Sequence, residues 1–113
     1  MKTKDDLVYL QHILDSIKWI ENYVSDISQE QFLEDHLVQD AVIRQIEIIG
    51  EASKKISDSL QLVYLLIPWK DIAGMRNKLI HGYFGVDIEA VWKTVSTDIP
   101  LLKAQIDNII KGL

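Results

Sequence analysis

Read from the amino terminus, apolar residues recur at the period of a helix. Between Asp5 and Val24, the residues Leu7, Leu10, Leu14, Ile17, Tyr23 and Val24 share one face, and Ile13 and Ile20 widen it. Thr3 or Asp5 suits the cap at its start. Ser25-Asp26-Ile27-Ser28 reads as a break, and Ser28 with Gln31 forms a capping box for a second helix. That helix is predicted to run to about Ile56. Its apolar positions are Leu33, Leu37, Val38, Ala41, Val42, Ile46, Ile48, Ile49, Ala52 and Ile56. At about 100° per residue they cover more than half of the cylinder, so the helix should pack against more than one neighbour. Its polar stripe includes Asp40, Arg44, Glu47 and Glu51. This spacing has two readings: a solvated face with intrahelical ion pairs, or one wall of a polar site.

Ser57-Asp58-Ser59 ends the second helix in this reading, and Leu60 to Trp69 is apolar without a clear period. Pro68 cannot lie inside a continuing helix but suits the first turn of a new one. A third helix is predicted from Pro68 to about His81, with Ile72, Met75, Leu79 and Ile80 facing inward and Gly82 as a left-handed cap. Tyr83 to Val86 is a short connection. Asp87 caps a fourth helix carrying Glu89, Val91, Trp92 and Val95. Asp98 caps a restart, with Pro100 just inside and Leu101, Leu102, Ile106, Ile109 and Ile110 beyond. The expected fold is all-α: an antiparallel bundle of four or five helices with short connections.

Composition narrows the possible functions. At 113 residues the chain suits one domain. It contains no cysteine, which removes disulfides, thiolate metal sites and cysteine nucleophiles. The longest uncharged apolar run, Leu62 to Trp69, is far short of a membrane span, and no apolar segment follows the charged start Met1 to Asp6. A cytoplasmic protein without membrane contact is expected. The 12 Lys and Arg stand against 17 Asp and Glu, a net charge of −5. That balance disfavours coating nucleic acid through a broad basic face, but leaves room for a small phosphate site.

The chemistry-bearing residues cluster in Arg76-Asn77-Lys78-Leu79-Ile80-His81-Gly82-Tyr83. Arg76 can fork two donors onto a phosphate, and His81 can move a proton near neutral pH. Asn77 precedes His81 by four residues, so on a helix it shares a face with the ring and could orient it. Tyr83 presents a hydroxyl just past the predicted helix end. Arg76 and His81 are five apart, about 140° around an ideal helix and about 7.5 Å along its axis. Either the helix ends at His81 and redirects it, or a second subunit completes the site. The helix dipole would favour a charged His81 at that end. The ordinary alternative is a capping histidine beside a solvated arginine. His12 and His36 read as surface or packing residues. Trp19, Trp69 and Trp92 read as core, with Trp69, beside Lys70, the best base-stacking candidate. The aspartates show no metal-ligand spacing, and no cofactor is expected.

The stretch resembles the Arg-x4-His-x-Tyr motif of HepT-like toxins, a branch of the HEPN superfamily of ribonucleases. Ile48-Ile49-Gly50-Glu51-Ala52 is similar to that family's "IGEA" segment, and Ile67 to Asn77 is similar to its lead-in to the motif. Phe84-Gly85-Val86-Asp87 and Val91-Trp92 extend the likeness over nearly the whole chain. The resemblance implies a dimeric helical bundle whose two motifs meet at the interface and cleave RNA without metal. Attack by the ribose 2′-hydroxyl would leave a 2′,3′-cyclic phosphate. It implies that Arg76 holds the scissile phosphate, His81 acts in proton transfer and Asn77 orients them. Tyr83 would accept AMP from a partner antitoxin, a minimal nucleotidyltransferase using ATP and magnesium. The apolar excess of the second helix also suits a two-fold homodimer. The competing reading is a non-catalytic dimeric bundle that binds a nucleotide or a protein partner.

Overall fold

In the computed structural model the backbone is described for residues 2–81 and 85–113, and side chains for 5–80 and 85–113. Helix α1 (Lys2–Val24) begins before Thr3 and Asp5, so neither residue caps it. Its fully buried Leu10, Ile13, Ile17 and Ile20, with buried Leu14, form most of the predicted stripe, whereas Leu7, expected on it, is exposed. Ser28 then caps as expected: its side chain accepts from the Gln31 amide, and the Gln31 side chain accepts from the Ser28 amide.

The single long second helix is corrected to two. Helix α2 (Gln29–Glu34) stops at Asp35, whose side chain accepts from the Val38 amide and starts α3 (His36–Lys54). Asp35 thus caps a new helix where the apolar period alone runs straight through. The buried Gln39 amide donates to the Phe32 carbonyl at 2.8 Å and satisfies the break. Phe32 packs on Trp92, with ring centroids 5.1 Å apart, which ties α2 to α7 (Ile88–Lys93). Helix α3 does pack on several neighbours: α1 on one side, α5 (Trp69–Ala73) and α6 (Met75–Leu79) on the other.

Ser57 does not end the second helix. It caps α4 (Asp58–Val63), accepting from the Leu60 amide. The carboxylate of the buried Asp6 accepts from both the Ser57 amide and its hydroxyl, at 2.8 and 2.6 Å, and so binds α1 to this turn. The third predicted helix is also divided. Pro68 stands at the cap of α5. Gly74, at φ −97° and ψ 9°, separates α5 from α6.

Asp87 caps α7 as predicted, accepting from the Ala90 amide. Asp98 does not cap a restart, because its backbone is helical and α7 continues through a π-helical turn (Thr94–Asp98) into α8 (Ile99–Gly112). The cause is Pro100, which offers no amide to the preceding turn and crowds it, and a wider turn absorbs the defect. The core joins α1 to α3 and to α8 through fully buried Ile13, Ile17, Ile46, Ile49, Ile106 and Ile109. Trp69 is buried and Trp92 half-buried, but Trp19 is 53% exposed and stacks on Tyr23, so it is not a core residue. The fold is an all-α bundle in which the predicted rods are cut into shorter pieces at Asp35 and Gly74. Among the described residues no helix is long and apolar enough to cross a membrane.

Candidate functional site

The motif begins as helix and is extended by Ile80 and His81. Buried Met75 and Leu79 fix α6 to the core and leave Arg76 and Asn77 on its exposed side. The helix stops at Leu79. Ile80, at φ −111° and ψ 111°, is extended, and β1 (Ile80–His81) pairs antiparallel with β2 (Gly85–Val86). The Asp87 amide donates to the Leu79 carbonyl at 2.8 Å and closes this small ladder. The prediction of helix through His81, with Ile80 on an inward helical face, is therefore corrected. The ladder takes over the backbone bonding two residues early, and Ile80 is half-buried in an extended segment.

Three arguments built on a helical His81 fall with it: its angular separation from Arg76, its shared face with Asn77 and the dipole bias toward imidazolium. The helix ends at Leu79, two residues before His81, where the spacing allowed an end. The His81 side chain, the Gly82 cap and Tyr83 lie outside the described residues.

Arg76 and Asn77 line a polar cavity of about 290 Å³ between α3 and the α5–α6 corner. Its other walls are Arg44, Glu47, Gly50, Glu51, Lys54 and Ala73. From Arg44 to Glu51 the α3 polar stripe thus lines this recess, although Arg44 and Glu51 also face solvent. Arg76 Nε lies 2.9 Å from Glu47 Oε2, with the two side chains 46% and 31% exposed. The one intrahelical ion pair formed by a stripe residue among the described contacts joins Glu51 to Lys54, at 3.4 Å. A second cavity on the other flank of α3 shares Arg44 and Glu51 and adds Tyr9 and His12. His12 is exposed and meets Tyr9 edge-on at 5.9 Å; His36 is exposed at the start of α3.

Gly50 explains why the cavity has this shape. A Cβ there would sit 3.0 Å from the Ala73 carbonyl oxygen and 3.6 Å from that of Ile72. The bare α-carbon lets the end of α5 lie directly on α3, where a methyl would push the two backbones apart by a few tenths of an ångström. That contact sets where α6 begins and hence where Arg76 stands. Glu47 and Gly50 were both legible, one in the polar stripe and one in the segment Ile48 to Ala52. Their convergence on Arg76 was not, because it depends on the break at Gly74.

A family model described as "Ribonuclease HepT-like" matches residues 13–109. A protein of Thermococcus cleftensis named "Probable ribonuclease HepT" is 48% identical over 103 residues, covering 91% of this chain and 94% of the relative. A Methanocaldococcus jannaschii protein, named as a gamma-glutamylcyclotransferase joined to a putative RNase, is 48% identical over 97% of this chain. The chain spans half the length of that relative. Another protein of the same organism, named as a putative RNase, is 43% identical over 100% of this chain and 97% of its own length. No solved structure matches. The fold and the matched sequence define the class as an all-α, HEPN-type ribonuclease. The chain belongs to the HepT-like ribonuclease family and is an endoribonuclease of that family.

Proposed function

We propose that this chain is the toxin of a toxin–antitoxin pair and cleaves RNA without a metal at a site built on Arg76 and His81. The observation that supports this most directly is the polar cavity in which Arg76, tied to α3 by Glu47, stands beside Asn77 at the surface. A half-exposed guanidinium in a polar recess is suited to a phosphodiester and has no core to stabilise. The roles of His81 and Tyr83 rest on the family resemblance.

In the reaction, the 2′-hydroxyl loses its proton and its oxygen attacks phosphorus. The bond to the 5′-oxygen breaks, and that oxygen gains a proton. The products are a 2′,3′-cyclic phosphate and a 5′-hydroxyl end. The His81 imidazole takes the proton from the 2′-hydroxyl, and either the imidazolium so formed or the partner's His81 at a two-fold interface gives a proton to the 5′-oxygen. Arg76 neutralises the charge that builds on the phosphoryl oxygens, and the orienting role of Asn77 rests, like that of His81, on the family resemblance.

The outer face of α3 supports such an interface. Arg44 and Glu51 lie equally far from a centre between Glu47 and Ile48, and so do Asp40 and Lys55. All four are exposed, as is Leu37 at 80%. Two antiparallel α3 helices crossing at that centre set Arg44 against the partner's Glu51 and Asp40 against the partner's Lys55. Arg44→Glu should dissociate the dimer in light scattering, and adding Glu51→Arg should restore it. A monomeric wild type at micromolar concentration overturns the interface.

The partner antitoxin, a small nucleotidyltransferase, would place AMP on Tyr83, setting negative phosphates beside Arg76 and excluding RNA. Intact-mass analysis after incubation with ATP, magnesium and the transferase should show added adenylyl groups on wild type and none on Tyr83→Phe. The decisive test of the nuclease reading is RNA cleavage by purified protein beside Arg76→Ala and His81→Ala. Both variants should be folded and inactive, and EDTA should leave wild type active. Loss of activity in EDTA, restored by magnesium, overturns the metal-free mechanism.

A further inference from the structure

The geometry points to Glu47 as a positioning residue for Arg76. It holds the guanidinium through Nε so that its terminal edge meets the RNA phosphate. This inference rests on the ribonuclease reading above and adds a residue to it.

Arginine carries a long, flexible stem and five N–H donors in a rigid planar fork. The fork has two edges that can grip an oxyanion: the Nε side, and the end formed by the two terminal nitrogens. An unrestrained, half-exposed Arg76 could offer either edge over a wide arc. The Glu47 carboxylate, 2.9 Å from Nε, occupies that edge of the fork as an ion-pair partner. A phosphate arriving from solvent then meets the terminal edge.

Glu47 is well placed to act as an anchor. Its neighbours Ile46 and Ile49 are fully buried, so this turn of α3 is fixed in the core. One turn further on, Gly50 lies against the Ala73 carbonyl, which holds the start of α6 to the same stretch of α3. Anchor and anchored residue therefore share one rigid corner. The Glu51–Lys54 pair, 72% and 55% exposed at 3.4 Å, is looser and lies within one helix.

The proposal opposes a simple electrostatic expectation. Glu47 puts a negative charge beside a phosphate-binding cation, so on charge alone its removal should improve RNA binding and cleavage. A positioning residue predicts a split instead. Its loss misaligns the group that stabilises the transition state, while ground-state attraction stays or increases.

The experiment is steady-state cleavage of a model RNA by wild type, Glu47→Ala and Glu47→Gln, with thermal melts on each and the Arg76 Nε–H resonance followed by NMR. For Glu47→Ala, kcat should fall about 10- to 100-fold with KM no higher than wild type, the scale expected for a small misplacement of a catalytic group. Glu47→Gln, which keeps the shape and an oxygen beside Nε but loses the charge, should recover part of the loss. The Arg76 Nε–H signal should be sharp in wild type and exchange-broadened in Glu47→Ala. Unchanged kcat in both variants overturns the proposal, as does faster cleavage, which would make Glu47 a competitor of the phosphate. If wild type itself cleaves no RNA, the ribonuclease reading fails and takes this proposal with it. If wild type cleaves and the variants match it, only the role of Glu47 fails.

Discussion

The layer formed by α1, α3 and α8 and the segment from α4 to β2 are built on different principles. In the layer, long helices bury whole stripes: Leu10, Ile13 and Ile17 from α1, Val42, Ile46 and Ile49 from α3, Ile106 and Ile109 from α8. In the segment, helices of five or six residues are held by a few specific bonds. Asp6 grips Ser57, the Trp69 indole donates to the Tyr64 carbonyl at 3.1 Å, and the Asp87 amide closes on Leu79. Leu62, Val63, Leu65 and Leu66 stay exposed there. Short helices have little stability of their own, so this segment takes its shape from its attachments to the layer. The candidate site lies on the seam, with Glu47 on one side and Arg76 on the other. A substitution in the layer should therefore act on the whole fold, and one at the seam on cleavage alone.

The largest expected effect tests that division directly. Ile46→Ala or Ile49→Ala should cost about 2–5 kcal/mol in urea unfolding, because each opens a cavity among fully buried neighbours. Arg76→Ala should change stability by no more than about 0.5 kcal/mol, as surface substitutions usually do, yet abolish RNA cleavage. An Arg76→Ala protein that unfolds like the isoleucine variants would make the seam part of the core and break the comparison.

Gly50→Ala crosses the two regions. The added methyl meets backbone at 3.0 Å, which no side-chain rotation relieves. A cost of about 1–3 kcal/mol is expected, as for other overpacked sites, together with displacement of the α5–α6 corner. Cleavage measured well below the midpoint of unfolding should fall further than the small unfolded fraction explains. A change in stability with full activity would show that Arg76 does not depend on this contact.

The same contrast governs how far the sequence could be read. The α1 stripe, the Ser28 box, the Asp87 cap and the inward Met75 and Leu79 were legible because burial period and capping are local signals. The break at Asp35 was missed because the apolar pattern on both sides is continuous and only the cap interrupts it. At the π turn Asp98 and Pro100 look like a helix start, but the chain absorbs the proline without leaving the helix. At the site, Arg76 and Asn77 were picked out by residue type, and Arg44, Glu47 and Glu51 by spacing as either a solvated face or a wall. Nothing local distinguishes those two readings, since the answer lies in which helix packs opposite. The extended Ile80 and His81 were hidden for the same reason: their conformation depends on pairing with Gly85 and Val86.

A smaller effect is expected where the segment is tied to α1. Asp6 is buried, and its carboxylate satisfies the Ser57 amide and hydroxyl. Asp6→Ala leaves that amide with no acceptor, at a cost of about 1–3 kcal/mol. Hydrogen exchange should quicken first at residues 57–63, before the α3 core. Uniform acceleration would mean that this turn and the layer unfold as one unit.

The smallest effect sharpens the comparison most, because it sets two similar ion pairs side by side. Lys103 Nζ lies 3.0 Å from Glu21 Oε2 and joins α8 to α1, with side chains 38% and 47% exposed. The Arg76–Glu47 pair has nearly the same separation and exposure but spans the seam. Solvent screens both, so breaking either should cost less than about 1 kcal/mol. Lys103→Met and Glu47→Ala should therefore have almost the same melting temperature. Only the second should lose turnover if Arg76 binds the reacting phosphate as proposed, because only there would the carboxylate hold such a group. If both variants keep full kcat, the Arg76–Glu47 pair is an ordinary surface contact. If both lose it equally, activity follows small changes in stability, and the seam has no role of its own.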